Sequence, residues 1–403
     1  MQKHILVISQ YFYPEQFRIN DICKEWVKKG YKVTVITGIP NYPQGKYYEG
    51  YGLLKKRREI YEGVQIVRLP IIPRGKTSFM LALNYFSFVI SGYAWKIFTK
   101  IKADYVFIFE VSPMTQALPG VWYAKKRKIP CYIYVQDLWP ENVEIITGIR
   151  NKFIIGAIGK MVDYIYSNCT KIFTTSKSFI KVISKRGVPN EKMEFWPQYA
   201  EDFYKPMSKI SVPEIPNDGT FNIIFAGNIG KAQGLDILPK AALILKKYSL
   251  KYKIRFNIVG DGRYKNELIK LVNEYKVNDM FNFIPKQAAT RIPDFMAAND
   301  AALICLTDSP LFAMTIPAKL QSYMACGIPI IASANGEIND IITEANAGMC
   351  GPAGNAEQLA NIIAKMSSMN KNELKQMGIN AKNYYDNNFN KNMLLNRFDK
   401  YLN

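Results

Sequence analysis

Two glycine-rich loops in the second half of the chain combine close backbone approach with positive charge. After the strand-like run Phe221-Asn-Ile-Ile-Phe225 comes Ala226-Gly-Asn-Ile-Gly-Lys-Ala-Gln-Gly-Leu-Asp236, and after Phe256-Asn-Ile-Val259 comes Gly260-Asp-Gly-Arg-Tyr264. Glycines let main-chain N–H groups reach a phosphate, the helix that follows offers free donors, and Lys231 and Arg263 supply positive charge. A glycine after a strand is also the ordinary way to turn into a helix; recurrence after consecutive strands favours a diphosphate cradle. A third element, Thr315-Ile-Pro-Ala-Lys-Leu-Gln-Ser-Tyr-Met-Ala-Cys-Gly327, puts Pro317 at a helix start and Lys319 in its first turn. A cation there opposes the helix dipole unless an anionic ligand offsets it.

The first half carries carboxylates where apolar runs end. Glu15 and Arg18 follow the first run, Glu110 follows Tyr105 to Phe109, and Asp137 with Glu141 follows Cys131-Tyr-Ile-Tyr-Val135. Asp137 is the candidate to accept a hydrogen bond from a substrate hydroxyl, with a capping or loop-bracing Asp as the alternative.

These loops need a scaffold, and the apolar runs describe one. Strands are expected at 4–9, 32–37, 65–69, 105–109, 131–135 and 171–175, then at 221–225, 255–259, 281–284, 301–306 and 328–332, separated by longer stretches of helical period. That alternation predicts an α/β protein with two doubly wound parallel sheets in series, whose ligands bind at the carboxyl ends of the strands. Lys205 to Gly219, with three prolines and little periodicity, is the linker. The domains expected are 1–205, 206–385 and a terminal helix over 386–403 that packs back on the first domain. In 403 residues, 48% apolar and 21% charged, each sheet can bury a core of its own.

Composition excludes several chemistries. Six cysteines at long spacings, with no Cys-x-x-Cys pair, read as reduced buried thiols rather than a disulfide framework or a zinc site. A single histidine, His4, inside a strand-like run, leaves no Ser-His or Cys-His catalytic pair. The five-residue apolar burst near the start is too short for a secretory signal, so a cytoplasmic protein is expected.

The net charge of +20 is uneven: residues 1–205 hold 31 Lys and Arg against 16 Asp and Glu, and residues 206–403 hold 22 against 17. A basic first half attracts nucleic acid or an anionic lipid surface. No RRM, KH or helix-turn-helix pattern supports nucleic acid. Thr77 to Trp95 runs 19 residues without a charge between Lys76 and Lys96. Asn84, Ser87, Ser91 and Gly92 dilute it, so an interfacial helix or a plain core helix fits better than a span.

Taken together these motifs resemble the GT-B glycosyltransferases of family 4. The resemblance covers essentially the whole chain and includes Ser9-Gln-Tyr-Phe-Tyr-Pro-Glu15, Phe225-Ala-Gly-Asn-Ile-Gly-Lys-Ala-Gln-Gly234, Val259-Gly-Asp-Gly262 and Tyr323-Met-Ala-Cys-Gly-Ile-Pro-Ile-Ile-Ala-Ser333. Gln136-Asp-Leu-Trp-Pro-Glu141 and Ile316-Pro-Ala-Lys-Leu-Gln-Ser-Tyr-Met-Ala325 are similar to the WbuB-like branch of N-acetylfucosamine transferases in O-antigen and capsule assembly. The resemblance implies two Rossmann-like domains facing across a cleft, a UDP-sugar donor held by the second domain, no cofactor or metal, and retention of anomeric configuration. It implies donor contacts from Gly227, Asn228, Gly230, Lys231, Gln233, Gly262, Pro285, Pro317, Gln321 and Ser322, and catalytic roles for Asp137, Arg263 and Lys319. Glu15, Arg18, Glu110 and Glu141 fall on the acceptor side, for a saccharide on polyprenyl diphosphate at the anionic inner face of the plasma membrane. The chain departs from the family where a Glu-x7-Glu pair is usual, since Met314 and Ser322 stand there, and where the first loop usually has Lys before Gly, since Gln233 does. A UDP-sugar 2-epimerase on the same fold is the rival enzyme, disfavoured by the single His.

Overall fold

The computed structural model describes residues 2–143 and 148–402, and it divides into two compact units. The first runs to Trp196 and takes in the chain again from Phe398; the second is Pro197–Arg397. The division therefore falls at Trp196, ahead of the proline-rich stretch that begins at Lys205.

Eight strands build the first unit: β1 (His4–Ile8), β2 (Lys32–Gly38), β3 (Arg58–Tyr61), β4 (Val64–Leu69), β5 (Tyr105–Glu110), β6 (Cys131–Val135), β7 (Lys171–Thr174) and β8 (Met193–Phe195), in the order β3-β4-β2-β1-β5-β6-β7-β8. Every pair is parallel except β3 with β4. All five residues of β1 and of β6 are buried, because helices cover both faces of a parallel sheet. The helices are α1 (Arg18–Lys28), α2 (Ser78–Phe98), α3 (Leu118–Arg127), α4 (Lys152–Asn168) and α5 (Lys177–Ser184). His4 bonds the Lys102 carbonyl at 2.7 Å and the Thr34 hydroxyl at 2.8 Å, so it braces the sheet.

The helix α2 buries polar groups beside Tyr85 and Phe88 and leaves an apolar side exposed. Its polar side chains face the protein: Asn84 accepts from the Gln10 amide at 2.7 Å, and the Ser87 hydroxyl accepts from the Ile72 N–H at 2.9 Å. Gly92 sits against Pro119, where a Cβ would come within 2.3 Å of the proline ring, so only glycine lets α2 lie this close to α3. Its large apolar residues, Phe79, Phe86, Ile90, Tyr93, Ile97 and Phe98, are exposed. Among the described residues no helix is long and apolar enough to cross a membrane.

The second unit holds β9 (Phe221–Asn228), β10 (Ile254–Asp261), β11 (Phe281–Ile284), β12 (Ala301–Cys305), β13 (Ile330–Ser333) and β14 (Gly348–Gly351), all parallel, in the order β11-β10-β9-β12-β13-β14. Its helices are α6 (Ile237–Leu245), α7 (Lys265–Glu274), α8 (Ile292–Ala298), α9 (Ala318–Cys326), α10 (Glu337–Glu344), α11 (Ala356–Ser368), α12 (Lys371–Asn388) and α13 (Lys391–Asp399), with a helical turn at Pro310–Ala313. Ile223, Phe225, Phe256, Ile258 and Leu303 centre its core.

The C-terminal residues close the first unit. Phe398 stands 5.2 to 5.4 Å from the rings of Trp26, Phe107, Phe173 and Trp196, and the hydroxyls of Tyr105 and Tyr132 donate to the Leu402 and Tyr401 carbonyls. Each such buried aromatic stabilises the unit by roughly 1.5–3 kcal/mol. Tyr385 and Leu394 belong to the second unit and are buried. The six cysteines are free, and all but half-buried Cys350 are buried.

Three strands escape the sequence reading. β3 is an antiparallel edge strand with charged residues and mostly exposed side chains, β8 is three residues long, and β14 reads Gly-Met-Cys-Gly, a composition poor in strand formers.

Candidate functional site

The donor-side candidates gather at the carboxyl ends of β9 and β10. These strands pair in register to their last residues, Gly227 opposite Gly260 and Asn228 opposite Asp261. The close pairing demands glycine at 260, where a Cβ would lie 2.0 Å from the Gly227 carbonyl oxygen. The loops then lock together: the Ile229 N–H donates to Asp261 O at 2.8 Å, and the Tyr264 N–H donates to Ile229 O at 3.0 Å. The Gly-rich loop ends in a 3₁₀ turn over Lys231–Gln233, closed by Gly234 in the left-handed region and tied to β12 by the Thr307 N–H donating to Ala232 O.

Lys319 reaches this loop from below. Pro317 caps α9, whose last turn ends at Gly327 in the left-handed region, so Lys319 sits in the first turn as its sequence implies. Its Nζ donates to the Gln233 Oε1 and stands 3.9 Å from the Phe225 ring centre. The same nitrogen lies 3.7 Å from the point where a Cβ on Gly227 would be. Among the described residues no carboxylate pairs with it, and burial pushes the amine down to about 7. Gln233 thus stands where the resemblance leads one to expect a lysine in the loop, and the charge arrives from α9.

The other donor candidates divide by exposure. Asn228, Lys231, Arg263 and Pro285 are exposed, and Gly230, Gly262 and Pro317 are half-buried at the loop surface. Gln321 is fully buried; its amide nitrogen, turned to satisfy its neighbours, donates to the Pro317 and Ala318 carbonyls within its own helix. The Ser322 hydroxyl donates to Ala318 O at 3.2 Å. The donor contact expected of Gln321 is therefore corrected: the side chain is buried and its amide nitrogen is spent on α9.

On the first unit, Asp137 is half-buried, and its Oδ2 accepts from the Ser112 N–H at 2.7 Å, while the Trp139 indole donates to the Ser112 hydroxyl. Glu110 lies beneath it with no exposed surface, and burial followed by the nearby Asp137 charge pushes its carboxyl well above the usual range. Glu110 cannot touch an acceptor, so its expected contact role is corrected: it braces the Gln136 to Asp137 turn, accepting weakly from the Asp137 N–H at 3.4 Å. Glu15 is also enclosed. Its Oε1 accepts from the N–H groups of Asn41 and Tyr42, and burial raises its carboxyl to about 7. Glu141 has its Oε2 enclosed and lies with Glu110 near the phenol of Tyr166, and half-buried Arg18 starts α1. The structure thus leaves Asp137 and Glu141 as the half-buried carboxylates of this set, with Glu15 and Glu110 enclosed.

A neighbouring cluster was passed over in the sequence. Arg74 lies over the Tyr42 ring at 5.2 Å and donates to the Tyr11 hydroxyl at 3.1 Å, while its N–H donates to Asn41. Tyr11, Phe17 and Tyr42 pack ring to ring at 5.4 to 5.5 Å. Tyr11 lies within a quoted motif, but nothing in the spacing ties it to Arg74, which is 63 residues away.

Comparison with known proteins places both halves. Residues 208–384 match the family model of glycosyl transferases group 1, and residues 17–198 match that of Glycosyltransferase Family 4. The putative colanic acid biosynthesis glycosyl transferase WcaI of Escherichia coli K12 is 26% identical over 340 residues, 80% of this chain and 81% of the relative. Among solved structures, sucrose-phosphate synthase from Thermosynechococcus elongatus aligns over 99% of this chain and 98% of its own, with a TM-score of 0.73 at 15% identity. Anabaena HepE in complex with UDP and glucose aligns over 100% and 99%, with a TM-score of 0.70 at 15% identity.

Proposed function

The chain is a GT-B glycosyltransferase, and from that premise we propose that it moves a sugar from a UDP-sugar to a saccharide carried on polyprenyl diphosphate, in O-antigen or capsule assembly. The observation that carries the donor half of this reading is Lys319: a half-buried, desolvated amine under a glycine loop, with no carboxylate partner among the described residues. Cleaving a sugar from a nucleoside diphosphate builds negative charge on the leaving phosphate, and a preorganised cation in a shielded site stabilises that charge with no nucleophile from the protein. Loop N–H groups and exposed Arg263 and Lys231 add to it, without a metal. UDP as the nucleotide is supported by the HepE complex, and a part in polysaccharide assembly by the WcaI relative, which is named for colanic acid biosynthesis. Within this reading Asp137 accepts a hydrogen bond from the acceptor hydroxyl, attack comes from the leaving-group face, and configuration is retained. N-acetylfucosamine is the sugar proposed, on the Gln136 to Glu141 and Ile316 to Ala325 motifs.

A panel of UDP-sugars offered with a synthetic saccharide on a lipid diphosphate tests the reading. Acceptor-dependent release of UDP is expected, greatest for an N-acetylated 6-deoxyhexosamine. Turnover with GDP- or dTDP-sugars alone, or isomerisation at C2 without any acceptor, would replace it.

We place the first unit on an anionic membrane through the outward side of α2. That helix buries Asn84, Tyr85 and Phe88 on one side and leaves Phe79, Phe86, Ile90, Tyr93, Ile97 and Phe98 exposed, with Lys76 and Lys96 at either end. Phe86→Asp combined with Lys76→Gln and Lys96→Gln is expected to release the protein from vesicles containing phosphatidylglycerol. Sedimentation equal to that of the unaltered protein would assign α2 another role.

A further inference from the structure

Arg74 is a half-buried guanidinium in aromatic surroundings: its described contacts are the Tyr11 hydroxyl, the face of Tyr42 and its own backbone link to Asn41, with no carboxylate in an ion pair. Beside it stands Tyr85 of α2, 8% exposed, whose hydroxyl is enclosed and, among the described residues, has no hydrogen-bond partner. The groups acting electrostatically on that phenol are Arg74, Asp137 and Tyr42, so it points into the same cluster. A buried hydroxyl without a partner costs stability unless a ligand takes it up. Because Arg74 donates to Tyr11, the Tyr11 O–H is itself left to donate elsewhere. Donors of two kinds therefore converge, a planar guanidinium suited to phosphate and two phenols.

We propose that Arg74, held by the Tyr11 hydroxyl and standing next to the unpartnered Tyr85 hydroxyl, binds the diphosphate of the lipid-linked acceptor. The assignment rests on the reaction proposed above, and it orders the acceptor along the first unit. Asp137, which shares the Tyr85 phenol as a neighbour, is where the sugar next to the diphosphate presents its hydroxyl. The lipid leaves on the other side, where Lys76 and exposed Phe79 follow Arg74 within five residues. The carboxylates facing the cluster are partly disarmed: Asp137 is engaged by the Ser112 N–H, and Glu15 by the Asn41 and Tyr42 N–H groups.

Geranyl diphosphate, titrated calorimetrically into the full-length protein saturated with UDP, probes this site apart from the donor site. Arg74→Gln is expected to weaken its binding about tenfold or more, as for loss of a charged hydrogen bond. Tyr85→Phe is expected to weaken it several-fold, and both variants keep the UDP affinity that shows an intact fold. In transfer assays Arg74→Gln raises KM for the diphosphate-linked acceptor and leaves KM for the donor, whereas a neutral alkyl glycoside acceptor is used equally by both proteins. Unchanged geranyl diphosphate affinity in the two variants, or inorganic pyrophosphate bound as tightly as the prenyl ester, overturns the assignment. Binding that is lost in Arg74→Gln, in a protein that transfers no sugar to any diphosphate acceptor, keeps the anion site and removes the reaction instead.

Discussion

Replacing Lys319 with Met is expected to lower transfer by a factor of about 100 to 1,000, the usual loss for one preorganised electrostatic stabiliser, while making the ligand-free protein more stable. The second half of the expectation distinguishes a functional lysine from a structural one. Burial lowers the amine from its ordinary value of 10.5 to about 7, so between those pH values the unfolded chain holds a proton that the folded chain lacks. Folding stability then rises with pH across that window, and below it the folded protein carries the full cost of a buried charge. At neutral pH that cost is on the order of a few kcal/mol. Met fills similar space without it, so unfolding by denaturant at pH 7 should require more denaturant in the variant, and the upward trend with pH should flatten. A variant that turns over at nearly the normal rate, or one that loses stability, would show that Lys319 serves packing. Arg263 behaves differently. It is exposed on the second loop, where solvent and salt screen its charge, and its removal should cost about tenfold at most.

How the two cations differ shows where sequence reasoning reaches and where it stops. The strands that carry the loops were legible because both faces of a parallel sheet are covered, which writes unbroken apolar runs such as Ile5 to Ile8 and Ile223 to Phe225. The glycine loops were legible because their backbones must approach each other, and Gly260 against Gly227 is a constraint no other residue meets. Edge strands carry no such constraint, and β3 and β14 went unread. Side-chain direction is also not written in spacing. Lys319 and Gln321 are two residues apart in one helix, yet the amine faces the loop while the amide folds onto its own helix. Glu110 and Asp137 both end strands, and only the second reaches the surface, because the first lies one layer deeper under the Gln136 turn. The Arg74 cluster was beyond reach for another reason: Tyr11, Tyr42, Arg74 and Tyr85 come from four separate segments brought together only by the sheet.

Affinity for UDP should fall as the pH rises above 7, by about tenfold between pH 7 and 8.5, and Lys319 should be the cause. In the free protein the amine is half protonated near pH 7, since burial disfavours its charge and no carboxylate repays it. A diphosphate placed against it favours the charged form and pulls its pKa back up. Binding above pH 7 then takes up a proton, and the dissociation constant rises by up to one decade per pH unit until the pKa of the complex is reached. The phosphates do not mask this, because a terminal phosphate with a second pKa near 6 has finished titrating by then. Calorimetry of UDP binding in buffers of different ionisation enthalpy should show uptake approaching one proton at pH 8.5 and about half a proton at pH 7. Lys319→Met should bind weakly at every pH and take up none. If affinity is flat between pH 7 and 9, or if the variant keeps the same proton uptake, another group carries the linkage, and the cation under the Gly227 loop is not the partner of the leaving phosphate.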